Sequence, residues 1–182
     1  MVDNYEKAVG LSSEWRTPPF IFAALALQFD LDPCAPVNGF YCVPATTRLT
    51  VHDNGLRASW RGGLTFVNPP WSEGRGAVVP WLRRFYAHRG GGIFVCVART
   101  SCDWWCELVW PLSELILFPR GKTRFLRADG NPGPSPTNGV ALIGKGDVAC
   151  AALRRCGNGL LGFSVTADRS MAPPASSRKA VS

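Results

Sequence analysis

Asn68-Pro69-Pro70-Trp71 follows directly on the apolar run Leu64-Thr65-Phe66-Val67. The run reads as a buried strand, and the four residues after it as a rigid turn at its carboxyl end, where open α/β sheets bind ligands. The residue types suit one kind of chemistry. The exocyclic amine of adenine is a poor nucleophile because its lone pair is delocalised into the ring. The Asn68 side-chain carbonyl and the Pro69 backbone carbonyl are two acceptors for its two N–H groups. Converging on the amine, they draw the nitrogen toward tetrahedral geometry and aim its lone pair at an electrophile. Proline suits such a turn because its φ is fixed and it offers no competing N–H. Trp71 adds a flat face for a base swung out of its stack. The same residues also make an ordinary turn beside a core tryptophan. Their place after a strand and before a helical segment favours the chemical reading.

The elements that must position this turn are legible around it. Thr17-Pro18-Pro19 opens a helix, with Thr17 as its cap and the apolar run Phe20 to Leu27 behind it. Phe29-Asp30-Leu31-Asp32 reads as a short strand ending at Pro33. The stretch 34–63, rich in Pro, Gly, Thr and Asn, holds one short strand near Arg48 to Val51. Val78 to His88 is helical, with apolar residues at helix spacing. Gly92 to Ala98 is the clearest buried strand, followed by a helix over Cys102 to Val109 and a strand over Leu115 to Phe118. Of the adjacent pair Trp104 and Trp105, one belongs in the core. Thr123 to Leu126 and Gly139 to Ile143 read as partners joined by the loop 129–136, and Gly159 to Val165 as a last strand. Alternating strands and helices followed by strand-rich sequence give an α/β sheet with an antiparallel C-terminal edge. The expected organisation is a loose leader over 1–11, one compact domain over 12–166, and a disordered tail over 167–182 rich in small, polar and proline residues.

Composition narrows the setting. A chain of 182 residues with 46% hydrophobic content supports one domain with a real core. No apolar stretch reaches membrane-spanning length, and the N-terminus lacks the layout of a signal peptide. The expectation is a cytoplasmic protein with no membrane partner, taken as a monomer. The seven cysteines include no C-x-x-C pair, and free thiols with no metal are expected. A net charge of +7 and a pI near 9.3 favour a polyanionic partner. Arg120, Lys122, Arg124 and Arg127 concentrate that charge in a segment without acids. Either they are a solvated strand face or they meet nucleic acid. As a strand, the segment would turn Arg120, Lys122 and Arg124 to one side, with Thr123 and Phe125 on the other.

Three segments fall in order: Glu14-Trp15-Arg16-Thr17-Pro18-Pro19, Asp30-Leu31-Asp32-Pro33-Cys34-Ala35, and Asn68-Pro69-Pro70-Trp71. Followed by Arg120-Gly121-Lys122-Thr123-Arg124-Phe125, the set resembles the phage-type, Dam-like DNA N6-adenine methyltransferase family, over about Ser12 to Gly144. Asn68 to Trp71 matches the family's catalytic (D/N)-P-P-(Y/F/W) motif. The resemblance implies a Rossmann-like methyltransferase sheet, S-adenosylmethionine as methyl donor, DNA as partner, and transfer to the N6 amine of adenine. It also implies donor contacts. Asp32 would take the donor's α-amino group, Pro33, Cys34 and Ala35 would approach its methionine part, and Thr17 and Pro18 would add hydroxyl and backbone contacts. Asp53 is a candidate to face the donor adenine, with a plain turn as its alternative. The segment after Asp32 departs from common methyltransferases in having one glycine, Gly39, where a glycine-rich loop is usual. Asn-Pro-Pro-aromatic turns also serve enzymes that methylate RNA adenines or glutamine amides. A non-catalytic nucleic-acid-binding protein on the same scaffold is the reading from another class.

Overall fold

A computed structural model describes residues 15–71, 77–157, 159 and 161–166. The expected leader 1–11 and tail 167–182 lie outside the described residues. Seven strands form one sheet: β1 Phe29–Asp32, β2 Ala45–Arg48, β3 Thr65–Val67, β4 Gly92–Val97, β5 Leu115–Pro119, β6 Val140–Lys145 and β7 Gly162–Thr166. Their spatial order is β2-β1-β3-β4-β6-β5-β7. Strands β2, β1, β3 and β4 pair in parallel, while β6 runs antiparallel between β4 and β5, and β7 antiparallel to β5. The chain goes from β1 to β2 on one side and returns to place β3 on the other. The strand order therefore reverses at β1, and the carboxyl ends of β1 and β3 stand side by side there.

Helices cover both faces. On one, α1 (Pro19–Leu25) and α4 (Asp147–Cys156) pack Ile21, Phe22, Leu25, Ala149, Ala152 and Leu153 against Phe66, Val95, Leu117 and Leu142. On the other, α2 (Val79–Ala87) sets Leu82 and Phe85 against Val67 and Phe94. There Trp105 is the fully buried member of the tryptophan pair, and Trp104 is half-buried. The segment expected as a helix over Cys102 to Val109 is π-helical from Trp105 to Val109 and runs into a single turn, α3 (Trp110–Leu112). Pro111 lacks the N–H that a regular ladder would need there.

Two expectations shift, and one helix is unexpected. The strand expected near Arg48 to Val51 lies at Ala45–Arg48, because Thr50 and Asp53 form a reciprocal capping box that starts a turn at Val51. Thr123 to Leu126 does not pair with β6. Leu126 instead bridges Arg16 and Pro132, and β6 is a central strand. A central strand is covered on both faces and must be continuously apolar, as Val140-Ala141-Leu142-Ile143 is and the basic segment is not. Helix α4 is not legible in the sequence. Apart from Leu153 its buried side is built from alanines and cysteines, whose weak apolar pattern hides a helix that lies close to the sheet. The close approach is visible at Gly144, where a Cβ would come within 2.7 Å of Leu153. Among the described residues, no helix is long and apolar enough to cross a membrane.

Phe66 is fully buried between the rings of Phe22 and Phe29, at 4.8 and 5.3 Å. Phe66→Ala should destabilise the fold by about 3–5 kcal/mol. Urea denaturation with an unchanged m-value is the measurement.

Candidate active site at the strand-order reversal

The site begins with a backbone irregularity in β1. The N–H groups of both Asp30 and Leu31 donate to the Leu64 carbonyl, at 2.8 and 3.3 Å. Two successive residues of β1 thus share one acceptor on the β3 side, the hydrogen-bond pattern of a β-bulge, while the pairing of β1 with β2 stays in register. It breaks the alternation of side chains, so Phe29 joins one face of the core and Leu31 the other. Asp32, the last residue of β1, lies at the carboxyl end beside the end of β3.

A cavity of about 300 Å³ opens there. Of the residues singled out from sequence, Thr17, Asp32, Pro33, Cys34, Ala35, Asn68, Pro69 and Pro70 all line it. The remaining lining comes from the segments around Trp15 and Tyr41, from Thr50, Val51, Asn54 and Gly55, and from Trp81 on α2. Tyr41, Gly55 and Trp81 are not legible as site residues in the sequence, since they stand in a turn-rich stretch or on a helix face that reads as core. Gly55 marks the closest approach. A Cβ there would meet the Pro33 carbonyl at 2.2 Å and the Trp81 ring at 3.0 Å.

Asp32 is almost wholly buried. Loss of hydration pushes its carboxyl up to about 7, against the opposing pull of the Cys34 N–H at 2.9 Å, the nearby Tyr41 hydroxyl and the Arg48 charge. Arg48 also lies over the Tyr41 ring at 4.7 Å. Burial raises both cavity thiols, Cys34 well above its ordinary value and Cys42 to about 11, so neither is a thiolate nucleophile. Thr17 does not cap α1. Pro18 holds the cap position, and the buried Thr17 hydroxyl has no hydrogen-bond partner within the protein. Beside it, the Thr17 carbonyl accepts the Cys42 thiol at 3.2 Å.

The Asn68 amide is held at both ends. Its Nδ2 donates to the Trp15 carbonyl at 2.7 Å, and its Oδ1 accepts the Trp71 indole N–H at 3.0 Å. Trp71 does not line the cavity. It stands beside the turn, half-buried, with its ring 4.6 Å from that of Phe125.

The other singled-out residues lie elsewhere. Asp53 is exposed, and its carboxylate accepts the Thr50 N–H and hydroxyl at 2.8 and 2.9 Å, which hold its carboxyl below the usual range. It is not among the cavity residues. Pro18, Arg120, Lys122 and Arg124 border a second, shallow groove together with Phe20, whose ring is 52% exposed. Thr123 and Phe125 are buried between the exposed Lys122, Arg124 and Arg127. The expected two-sidedness is present at these positions, although the segment is extended chain with one bridge rather than a strand.

A buried acid at the end of one parallel strand, an oriented amide at the end of the next, and aromatic walls around the cavity they share define an α/β protein with a cleft at its strand-order reversal, where open sheets of this class bind ligands. A family model described as DNA N-6-adenine-methyltransferase (Dam) matches residues 6–143, and the chain belongs to that family. It is 23% identical over 116 residues to the DNA N-6-adenine-methyltransferase of Haemophilus phage HP1 (strain HP1c1), a match over 62% of this chain. The chain spans 65% of that curated relative's length. No solved structure matches it.

The raised carboxyl makes a linkage prediction. Folded Asp32 holds its proton up to about pH 7, whereas unfolded it releases the proton near its ordinary value of 3.8. The unfolded state therefore binds fewer protons between these values, and stability contributed by the neutral carboxyl falls as pH rises through that window. Asp32→Asn, which stays neutral, should gain on the wild type by up to about 1.4 kcal/mol per pH unit across it. Paired urea titrations at several pH values would measure the difference.

Proposed function

We propose that this chain is an S-adenosylmethionine-dependent DNA methyltransferase that transfers a methyl group to the N6 amine of adenine, on a Rossmann-like sheet with an antiparallel C-terminal edge. The observation that carries the reading is the shared cavity. Asp32 and the Asn68-Pro69 turn, one suited to a cationic donor and the other to a planar amine, stand on its walls together.

The residues present fit such a donor. A buried carboxylate suits an ammonium or sulfonium charge, and a cationic ligand would offset the cost of ionising Asp32. The unpartnered Thr17 hydroxyl is a ready contact for a polar group. The rings of Trp15, Tyr41 and Trp81 offer flat apolar wall for a base. Bound there, S-adenosylmethionine supplies an electrophilic methyl carbon on a positive sulfur. In this reading Pro33, Cys34 and Ala35 bring the backbone close to its methionine part.

On the acceptor side, Oδ1 of Asn68 and the Pro69 carbonyl take the two N–H groups of the adenine amine. Both acceptors are fixed before the base arrives, so they stabilise the charge developing on nitrogen without reorganising. Trp71 offers the stacking face, braced from behind by Phe125. No covalent enzyme intermediate is required. Arg120, Lys122, Arg124 and Arg127 meet phosphates of the flanking DNA, which orients the duplex without reading its sequence.

The test is incubation of the full chain with labelled donor and, separately, DNA and RNA, followed by nucleoside analysis. Label in N6-methyladenine from DNA is expected. Label confined to RNA or to another base would overturn the reading. Asn68→Ala should lower turnover by about 100-fold or more, with donor affinity nearly unchanged. Changing Lys122 and Arg124 together to Ala should weaken binding to all DNA sequences alike and reduce the salt slope by up to about 2 units. Binding titrations over a range of salt concentrations measure it.

A further inference from the structure

The Asn68 side chain faces two groups of opposite character. The Trp15 carbonyl can only accept a hydrogen bond, and the Trp71 indole can only donate one. At 2.7 and 3.0 Å both are engaged, and each by the one end of the amide that can meet it. Turning the amide over would set oxygen against oxygen and N–H against N–H. The orientation is therefore decided, and with it the direction of the second lone pair on Oδ1.

The Trp15 carbonyl is itself anchored. The next residue, Arg16, pairs with Leu126 through both backbone bonds, at 3.0 and 2.8 Å. The Trp15 ring packs over Gly133 so closely that a Cβ there would come within 2.4 Å of it. A fixed acceptor thus stands behind the candidate catalytic turn.

We propose that the Trp15 backbone carbonyl is a positioning group for the reaction proposed above, and that it makes an amide obligatory at position 68 of this chain. The motif that the sequence resembles admits Asp or Asn there. In this protein a carboxylate would present two acceptors, one of them against the Trp15 carbonyl. Coulomb repulsion between the oxygens then forces one of two outcomes. The side chain rotates and loses its aim at the substrate amine, or it takes up a proton. A protonated carboxyl restores the arrangement, since its O–H donates to Trp15 and its C=O accepts from Trp71 as the amide oxygen does.

The decisive variant is Asn68→Asp in the full chain, examined by turnover against pH and by NMR titration of isotope-labelled carboxyl groups, with wild type as the reference. At about pH 8 turnover should fall by about 100-fold, the scale of a misaligned reacting group, with donor affinity unchanged. Turnover relative to wild type should recover as pH falls, and the new carboxyl should titrate above the ordinary aspartate range. A carboxyl titrating in the ordinary range, with turnover near wild type and a parallel pH profile, would overturn the proposal. If the wild type methylates nothing, the function proposed above fails, while the carboxyl titration still decides this inference. Trp71→Phe is the second variant, and it keeps the aromatic face and the Trp15 contact while removing the indole donor. It should cost no more than about 10-fold, the worth of one neutral hydrogen bond. A larger loss would assign the positioning role to the indole and refute the assignment to Trp15.

Discussion

The shared carbonyl of Leu64 decides more of this structure than any side chain does. By accepting from both Asp30 and Leu31 it makes a bulge-like irregularity on the β3 side of β1. Without the bulge, Phe29 and Leu31 would face the same side of the sheet. With it, Phe29 reaches the α1–α4 layer and Leu31 the α2 layer, and the strand ends with Asp32 at the cavity. Bulges recur beside functional sites because they re-aim a side chain at little cost to the ladder. Here the irregularity falls where the strand order reverses, next to the cavity.

That cavity holds one acid that burial disfavours in its charged form and one hydroxyl without a partner in the protein. The Asp32 carboxyl is desolvated, and the Thr17 hydroxyl is buried without a partner. Each costs folding free energy that a ligand of matching chemistry would offset on binding. The Thr17 hydroxyl differs from a member of a structural polar cluster, in which every partner is supplied internally. The capping box of Thr50 and Asp53 is such a cluster, and it leaves Asp53 fully exposed and away from the cavity.

The segment 15–17 ties the parts together. Its Trp15 carbonyl orients Asn68, Thr17 lines the cavity, and Arg16 pairs with Leu126 at the end of the basic segment. Phe125, one residue earlier, packs on Trp71. The exposed cations and the Asn68 turn are therefore joined by two short paths through packed groups. A ligand seated against Lys122 and Arg124 would lie mechanically next to the turn.

Much of this protein is legible in its residues alone. The strands at Phe29 to Asp32, Leu64 to Val67, Gly92 to Ala98 and Leu115 to Phe118 fall within one residue of their observed bounds. The apolar run at each is short, strongly patterned and bounded by turn residues, so local sequence determines it. The Asn-Pro-Pro turn is equally legible, because proline fixes its backbone in any context. What tertiary structure decided is pairing and adjacency. Val140 to Lys145 carries no local mark of lying between β4 and β5. Asp147 to Cys156 becomes a helix packed over Gly144 by Leu153 and Cys150, with small Ala149 and Ala152 letting it lie close. Tyr41, Gly55 and Trp81 join the cavity only because β1 lies between β2 and β3. The contacts that set the Asn68 amide come from a residue 53 positions earlier in the chain and from one three positions later. Local sequence determined which groups this protein could bring to a reaction. Long-range backbone pairing, which periodicity does not encode, decided which of them face one another.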